Sequence, residues 1–215
     1  MARLLRTGFM AVAVLMIGSV ASAQLINELL YDSVGTDEGT FTEIIGEPGT
    51  DLDGWSLVGI NGNGGLEYRT VPLTGVIGAT GYFVVAQDSL VPNADLIDPG
   101  VDWQNGADQV VLRQGTIDID SVCYGFSPDL ICQGDPAEDV PGGTSLARCP
   151  DGSNTGNNAD DFVGDITPTP GEENDADCGG PGEPEDVTLC MLRENDADGV
   201  PVLNGTRVRV MGAQA

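Results

Sequence analysis

Carboxylates make up most of the ionisable side chains with which this chain could do chemistry. Its 215 residues include 34 Asp and Glu and eight Arg, with no His and no Lys, so the formal charge is −26 at pH 7. Without His or Lys, the chain has no base for a Ser-His or Cys-His pair and no amine for a Schiff base. Paired carboxylates can hydrolyse glycosides, but acids spread over many loops do not single out a pair. We therefore expect no enzymatic activity and no catalytic residues in this chain.

Oxygen-rich segments make calcium the strongest metal candidate, because hard cations bind several carboxylate, amide and carbonyl oxygens on loops. In the segment 195–199, Asp196 and Asp198 alternate as in a calcium-binding turn, without the later Glu of an EF-hand. A second oxygen-rich set comprises Asp151, Asn154, Asn157, Asn158, Asp160 and Asp161. The alternative is that these side chains shape turns by bonding the backbone. No cofactor other than calcium is predicted.

The negative charge also narrows the class of partner. Nucleic-acid affinity depends on neutralising phosphates with Lys and Arg, so a chain of this charge is disfavoured as a nucleic-acid binder. A field of this sign favours solubility and loosely held cations. The partner we expect is an unidentified protein or a cell-surface ligand.

The first 23 residues have the pattern of an export signal. Arg3 and Arg6 supply a positive start, residues 9–20 an apolar run, and residues 21–23 a small-residue cleavage pattern. The apolar run is too short to span a bilayer and no second one follows, so no membrane span is expected after cleavage near Ala23. Cleavage would leave six Arg against 34 acids, a charge of −28. The mature protein is predicted to be secreted, to the extracellular space, the cell surface or the periplasm.

Five cysteines are available for disulfides, which are the default in an exported chain. Cys123 and Cys132 are nearest in sequence and flank one loop, so we predict that they pair. Cys149 with Cys178 would fix both ends of the segment between them, and Cys190 would be left for a partner domain. Structural zinc is not predicted, because the chain has no His and no CxxC pair.

The elements that must position these residues are short β-strands separated by turns rich in Gly, Pro, Asn and Asp. No capped helical period is present. A segment of about 150 residues is long enough for one core, so the pattern predicts an all-β sandwich or barrel over 24–174. The predicted strands cover 25–31, 41–45, 55–58, 66–71, 81–86, 109–113, 116–122 and 145–148.

The aromatic residues of this segment supply the candidate core. Trp55, Tyr82, Phe83 and Phe162 are predicted to be buried. Trp103 lies on a predicted loop, where it either contacts a partner or packs back on the sheet.

The composition changes after residue 174. Residues 175–186 have the acidic, Gly- and Pro-rich composition of a linker. Two further strand-like runs lie in 187–215, too few to bury a core of their own. We interpret this segment as the truncated start of a second β domain.

Five segments together resemble the lamin tail domain, an immunoglobulin-like β-sandwich found in nuclear lamins and in many secreted bacterial proteins. The segments are 25–29 (LINEL), 51–57 (DLDGWSL), 81–86 (GYFVVA), 120–125 (DSVCYG) and 143–174. Two features depart from the family pattern: the second strand reads TFTEII over 40–45, and a long insert separates Tyr124 from Gly143. The resemblance implies an immunoglobulin-like sandwich over 24–174.

The last segment carries a second, shorter resemblance. Residues 193–201 and 204–210 resemble the beginning of an OB-like β-barrel. Such barrels lie beside lamin tail domains in secreted bacterial nucleases and phosphoesterases.

These resemblances imply a secreted, non-catalytic binding or tethering module, the accessory domain of an extracellular protein. One alternative is an N-terminal fragment of a secreted nuclease or phosphoesterase whose catalytic domain is missing. Another is a calcium-dependent adhesion domain.

Overall fold

The computed structural model describes residues 24–174, together with the backbone of 185–187 and 208–210. Within 24–174 the chain forms ten strands and one short helical turn. The strands are β1 Leu25–Leu30, β2 Phe41–Ile45, β3 Trp55–Asn61, β4 Glu67–Pro72, β5 Tyr82–Ala86, β6 Leu96–Ile97, β7 Asp108–Gln114, β8 Ile117–Tyr124, β9 Ser145–Arg148 and β10 Phe162–Ile166, with helix α1 at Asn158–Asp161. Every strand predicted within 24–174 is present, with most ends shifted by a few residues.

These strands build two sheets that pack face to face. One sheet has the order β10-β9-β1-β2-β5-β6, and the other has the order β4-β3-β7-β8. Their inner faces share one apolar core, to which Ile26 and Phe83 come from the first sheet and Leu57 and Leu112 from the second. The predicted all-β sandwich is therefore confirmed.

The predicted aromatic core is present, with one exception. Trp55, Phe83 and Phe162 are buried, whereas Tyr82 is half-buried at the start of β5. Trp103 packs back on the sheet: it is 2% exposed, and its indole Nε1 donates to Thr42 Oγ1 at 2.8 Å. It is therefore a core residue and not a contact residue.

Strand β1 is buried along its whole length, although its sequence alternates only in part. It lies in the middle of the six-stranded sheet, with a bulge between Ile26 and Glu28. Its inner side chains join the main core, and Leu30 joins a second apolar cluster with Phe41 and Val84. A strand in this position has no solvent side, which explains why simple alternation fails there.

A buried arginine ties the two sheets together. Arg148 on β9 has no solvent exposure, and its Nη2 lies 2.9 Å from Asp120 Oδ2 on β8. Its Nε donates to the carbonyl of Ile26 at 2.7 Å, and its guanidinium lies 4.4 Å from the ring centre of Phe162. The carboxylate of Asp161 lies 3.5 Å from Nη1. These contacts fix β8 against the six-stranded sheet.

Beyond residue 174, the described backbone consists of two short strands. β11 (Glu185–Val187) pairs in parallel with β12 (Val208–Val210). The predicted signal over 1–23, most of the predicted linker, and the rest of the predicted second domain lie outside the described residues. None of the helices that the structure describes is long and apolar enough to cross a membrane.

Candidate functional site

A groove of about 310 Å³ lies on the outer face of the four-stranded sheet. Its floor comes from neighbouring strands, because the register places Ile60 beside Gln109, and Val111 beside Ser121. The full lining is Ile60, Gly65, Gln109, Val111, Asp118, Ile119, Asp120, Ser121, Asp129, Ile131 and Gln133. This volume falls at the lower end of the range of small-ligand sites.

One wall of the groove is the loop closed by the disulfide between Cys123 and Cys132, whose Cα atoms are 5.6 Å apart. This is the disulfide predicted from the sequence. The loop is also bonded to the sheet below it, since Gln109 Nε2 donates to the carbonyl of Ile131 at 3.0 Å. Gln133 Nε2 reaches Asp120 Oδ1 at 3.4 Å on the other side of the groove. The wall is therefore held at both ends.

The β3–β4 hairpin meets this loop at its tip. The backbone N–H of Gly64 donates to Asp129 Oδ2 at 2.9 Å, and Ser127 Oγ donates to the carbonyl of Gly62. Gly65 has φ +63°, and a Cβ there would lie 2.5 Å from the carbonyl oxygen of Asp129. Glycine is therefore required at this position both by the backbone angle and by the close approach of the two loops.

The charges around the groove are predominantly negative. Arg113 lies 2.9 Å from Glu67 and 2.5 Å from Asp118, so one cation faces two carboxylates. Asp129 adds a third carboxylate, which accepts the Gly64 N–H. Asp120 is already paired with Arg148 in the interior. The rim therefore keeps an excess of negative charge.

Apolar side chains are exposed on the segments that border the groove. Ile131 is 88% exposed and Phe126 is 83% exposed on the disulfide-closed loop. Leu66 follows the lining residue Gly65 and is 72% exposed, and Ile117 precedes the lining residue Asp118 and is 65% exposed. Exposed apolar groups concentrated around a concave surface are typical of an interaction site.

The sequence-predicted oxygen-rich set is not assembled into a metal site. Asn157 caps helix α1 and accepts the N–H of Asp135 at 2.8 Å, while Asn158 Oδ1 accepts the N–H of Cys123 at 3.0 Å. Asp161 Oδ1 accepts the N–H of Thr155 at 2.7 Å. Within 24–174 and the two short strand segments, no three His, Cys, Asp or Glu side chains form a group that could hold a metal ion. The side chains of Asn157, Asn158 and Asp161 bond the backbone, as the alternative predicts, but those of Asn157 and Asn158 also reach segments that are distant in sequence.

The remaining predicted site residues divide into two groups. Asp196 and Asp198, the calcium candidates, lie outside the described residues. Cys149 is disulfide-bonded, while its predicted partner Cys178 and the leftover Cys190 lie outside the described residues.

Two buried carboxylates on the outer face of the six-stranded sheet were not predicted. Glu28 on β1 and Glu43 on β2 are both fully buried. Residues 167–174, hereafter the strap, cross over them. The N–H of Thr169 donates to Glu28 Oε1 at 3.0 Å, and the N–H of Gly171 donates to Glu43 Oε2 at 2.7 Å. These acids therefore hold the strap on the sheet.

Burial dominates the electrostatics of this cluster. Removal from water raises the pKa of Glu43 to about 8, although hydrogen bonds from Asn27 and Gly171 favour its charged form. The pKa of Glu28 is raised as well, first by burial and to a smaller extent by the nearby charge of Asp151. Because the strap covers both carboxylates, they are not available as the acid and base of a glycosidase.

The groove itself could not be predicted, because it joins residues from three strands and two loops. One signal in the sequence could have indicated its wall: the segment between Tyr124 and Gly143 carries apolar Phe126 and Ile131 in a polar stretch. The groove presents Asp and Gln oxygens together with apolar walls.

The chain matches no protein-family model, no curated protein and no solved structure.

Proposed function

We propose that residues 24–174 form a secreted, non-catalytic binding or tethering module of immunoglobulin-like, lamin-tail type, and that the groove is its binding surface. The observation that carries this proposal is the groove of about 310 Å³ with a disulfide-closed wall and exposed apolar side chains. The Cys123–Cys132 disulfide is compatible with an oxidising, extracellular setting. The immunoglobulin-like assignment is supported by the five sequence segments that resemble lamin tail domains.

The construction of the groove supports a binding role over a purely structural one. A loop that only connected β8 to β9 would bury its apolar side chains against the sheet. Here Phe126 and Ile131 are directed to solvent, while backbone and amide hydrogen bonds hold the loop in place. A rigid scaffold that presents apolar groups lowers the entropy lost on binding, and this is the arrangement that favours recognition.

The proposal is tested by comparing ligand capture by the full chain and by groove variants. The immobilised protein is exposed to an array of glycans, of basic, neutral and acidic peptides, and of lipid vesicles. We expect at least one class to bind, and we expect Phe126→Ser with Ile131→Ser to abolish that binding. Leu90→Ser is the matched control, because Leu90 is 69% exposed and does not line the groove. Equal binding by the double variant and the wild type would rule out the groove as the binding surface.

A further inference from the structure

The charge balance around the groove selects the class of ligand. Arg113 pairs with Glu67 and Asp118, and Asp129 accepts the N–H of Gly64, so three carboxylates with one cation among them make the rim complementary to a positively charged group. The chain as a whole carries a formal charge of −26, which draws cations toward the same surface over longer distances. An anionic ligand would be repelled both by the rim carboxylates at contact and by the net charge of the chain at longer distance.

Apolar side chains on the same surface indicate that the ligand has an apolar part as well as a positive charge. Ile60 and Val111 line the floor, and Ile131 projects from the wall. Arg and Lys side chains place a charged head on a long apolar stem, so they can lie along such a floor while the head reaches a rim carboxylate. A neighbouring apolar side chain of the same peptide would cover Ile131.

The edge of β8 determines how such a peptide can bind. Leu112 pairs with Asp120 and Arg113 pairs with Asp118, which leaves Ile119 as the extra residue of a bulge. Bulges turn an edge strand away from further pairing. The other half of this edge is occupied, since Asn158 Nδ2 donates to the carbonyl of Ser121 at 3.0 Å. The groove is therefore built for side chains and not for the addition of a strand.

We infer that the groove binds a basic segment of another protein, in which Arg or Lys alternates with apolar residues. The inference rests on the proposed binding function and adds the chemical class of the ligand. Asp118 and Asp129 contact the cationic groups, and Ile60 and Ile131 contact the apolar groups.

The test uses the full chain and a ten-residue peptide of alternating Arg and Leu, labelled with a fluorophore. Control peptides replace Arg with Gln, Arg with Glu, or Leu with Ser. We expect the Arg-Leu peptide to bind, and each control peptide to bind about fivefold or more weakly. The expected factor for the Arg replacements is modest because each exposed charge contributes only a modest free energy. Binding that survives replacement of every Arg by Glu would overturn the inference.

Charge variants separate the groove from the general field. Asp118→Asn with Asp129→Asn should weaken peptide binding about fivefold or more, since Asn keeps the shape and loses the charge. Glu47→Gln with Asp53→Asn removes the same charge from exposed positions before β3 and should have little effect. Equal losses in the two double variants would show that the peptide responds to net charge alone, which would also overturn the inference.

The two proposals fail in different ways. A groove-dependent ligand that is acidic, or a glycan, or a lipid surface, would overturn the basic-peptide inference and leave the binding function standing. The absence of any ligand that is lost in the Phe126→Ser, Ile131→Ser variant would overturn both. Thermal denaturation of every variant checks that the fold is retained.

Discussion

Replacement of Arg148 by Met tests whether the buried ion pair holds the sandwich together. Met fills a similar volume with an apolar chain, so the substitution removes the charge and leaves the space filled. Arg148 and Asp120 both have no exposed side-chain surface, and Nη2 lies 3.0 and 2.9 Å from the two carboxylate oxygens. The variant therefore leaves the Asp120 carboxylate buried without its cation.

The magnitude follows from the cost of an unpaired buried charge. Removal of one partner of a buried pair costs about 3–5 kcal/mol. The carbonyls of Ile26 and Ser153 also lose their Arg148 donors. Since small domains have a total stability of about 5–15 kcal/mol, the variant should lose a large part of its free energy of unfolding.

A second substitution distinguishes loss of charge balance from loss of packing. In Arg148→Met with Asp120→Asn, the carboxylate of Asp120 is replaced by a neutral amide. The Asn oxygen can still accept the N–H of Ile26, which lies 2.8 Å from the Asp120 carboxylate. We expect this double variant to be about 1–3 kcal/mol more stable than Arg148→Met alone. It does not regain full stability, because the buried Asp161 carboxylate also loses the guanidinium that lies 3.5 Å from it in the wild type.

The assay is urea denaturation followed by the fluorescence of Trp55 and Trp103, both of which are buried. The free energy of unfolding is compared for the wild type, the two single variants and the double variant. A loss below about 1 kcal/mol in Arg148→Met would refute the reasoning, since an unpaired buried charge costs more than that. Strict additivity of the two single variants would refute the coupling of the pair.

Three further outcomes are expected. Folding raises the pKa of Glu43 from 4.5 to about 8, so the stability that Glu43 contributes is complete below pH 4.5 and is lost as pH rises toward 8. Glu43→Gln should therefore flatten the fall in denaturation midpoint between pH 5 and pH 9. A pH dependence with an unchanged slope would contradict this assignment. Cys132→Ser should lower the free energy of unfolding by about 2–3 kcal/mol, because the disulfide no longer restricts the unfolded chain. The same variant should bind the Arg-Leu peptide more weakly. Binding as tight as that of the wild type would show that the wall does not need its covalent closure. Gly65→Ala should weaken peptide binding more than Gly64→Ala does. Both glycines have positive φ, but only at Gly65 would a Cβ meet the opposing loop, at 2.5 Å. Equal binding by the two variants would show that the close approach of the loops does not shape the groove.

Local pattern was sufficient for most of the strands. β2 was predicted at its observed bounds, and β9 likewise, because short β-type runs end at Gly, Pro and Asp residues. The pattern was insufficient for β6, a two-residue strand that pairs in parallel with β5. So short a strand has no periodicity of its own, and its conformation depends on its neighbour.

Buried polar residues show a further limit of sequence patterns. Glu28 and Glu43 interrupt apolar strands in the way that solvent-facing residues do. Their burial depends on the strap, which is more than a hundred residues away in sequence and donates its backbone N–H groups to both carboxylates. No property of the strands themselves indicates this cover.

The sequence alone showed that the chain has no His and no Lys, and it predicted the positions of most strands and the Cys123–Cys132 disulfide. Each of these depends on residue types or on close spacing. The tertiary structure alone decided that Trp103 is a core residue, that Arg148 joins the sheets and that a groove exists at all. The lining of the groove runs from Ile60 to Gln133, and only the register of β3, β7 and β8 brings its members together. Local preferences are set by neighbours along the chain, whereas a binding surface is set by contacts between segments that are distant in sequence.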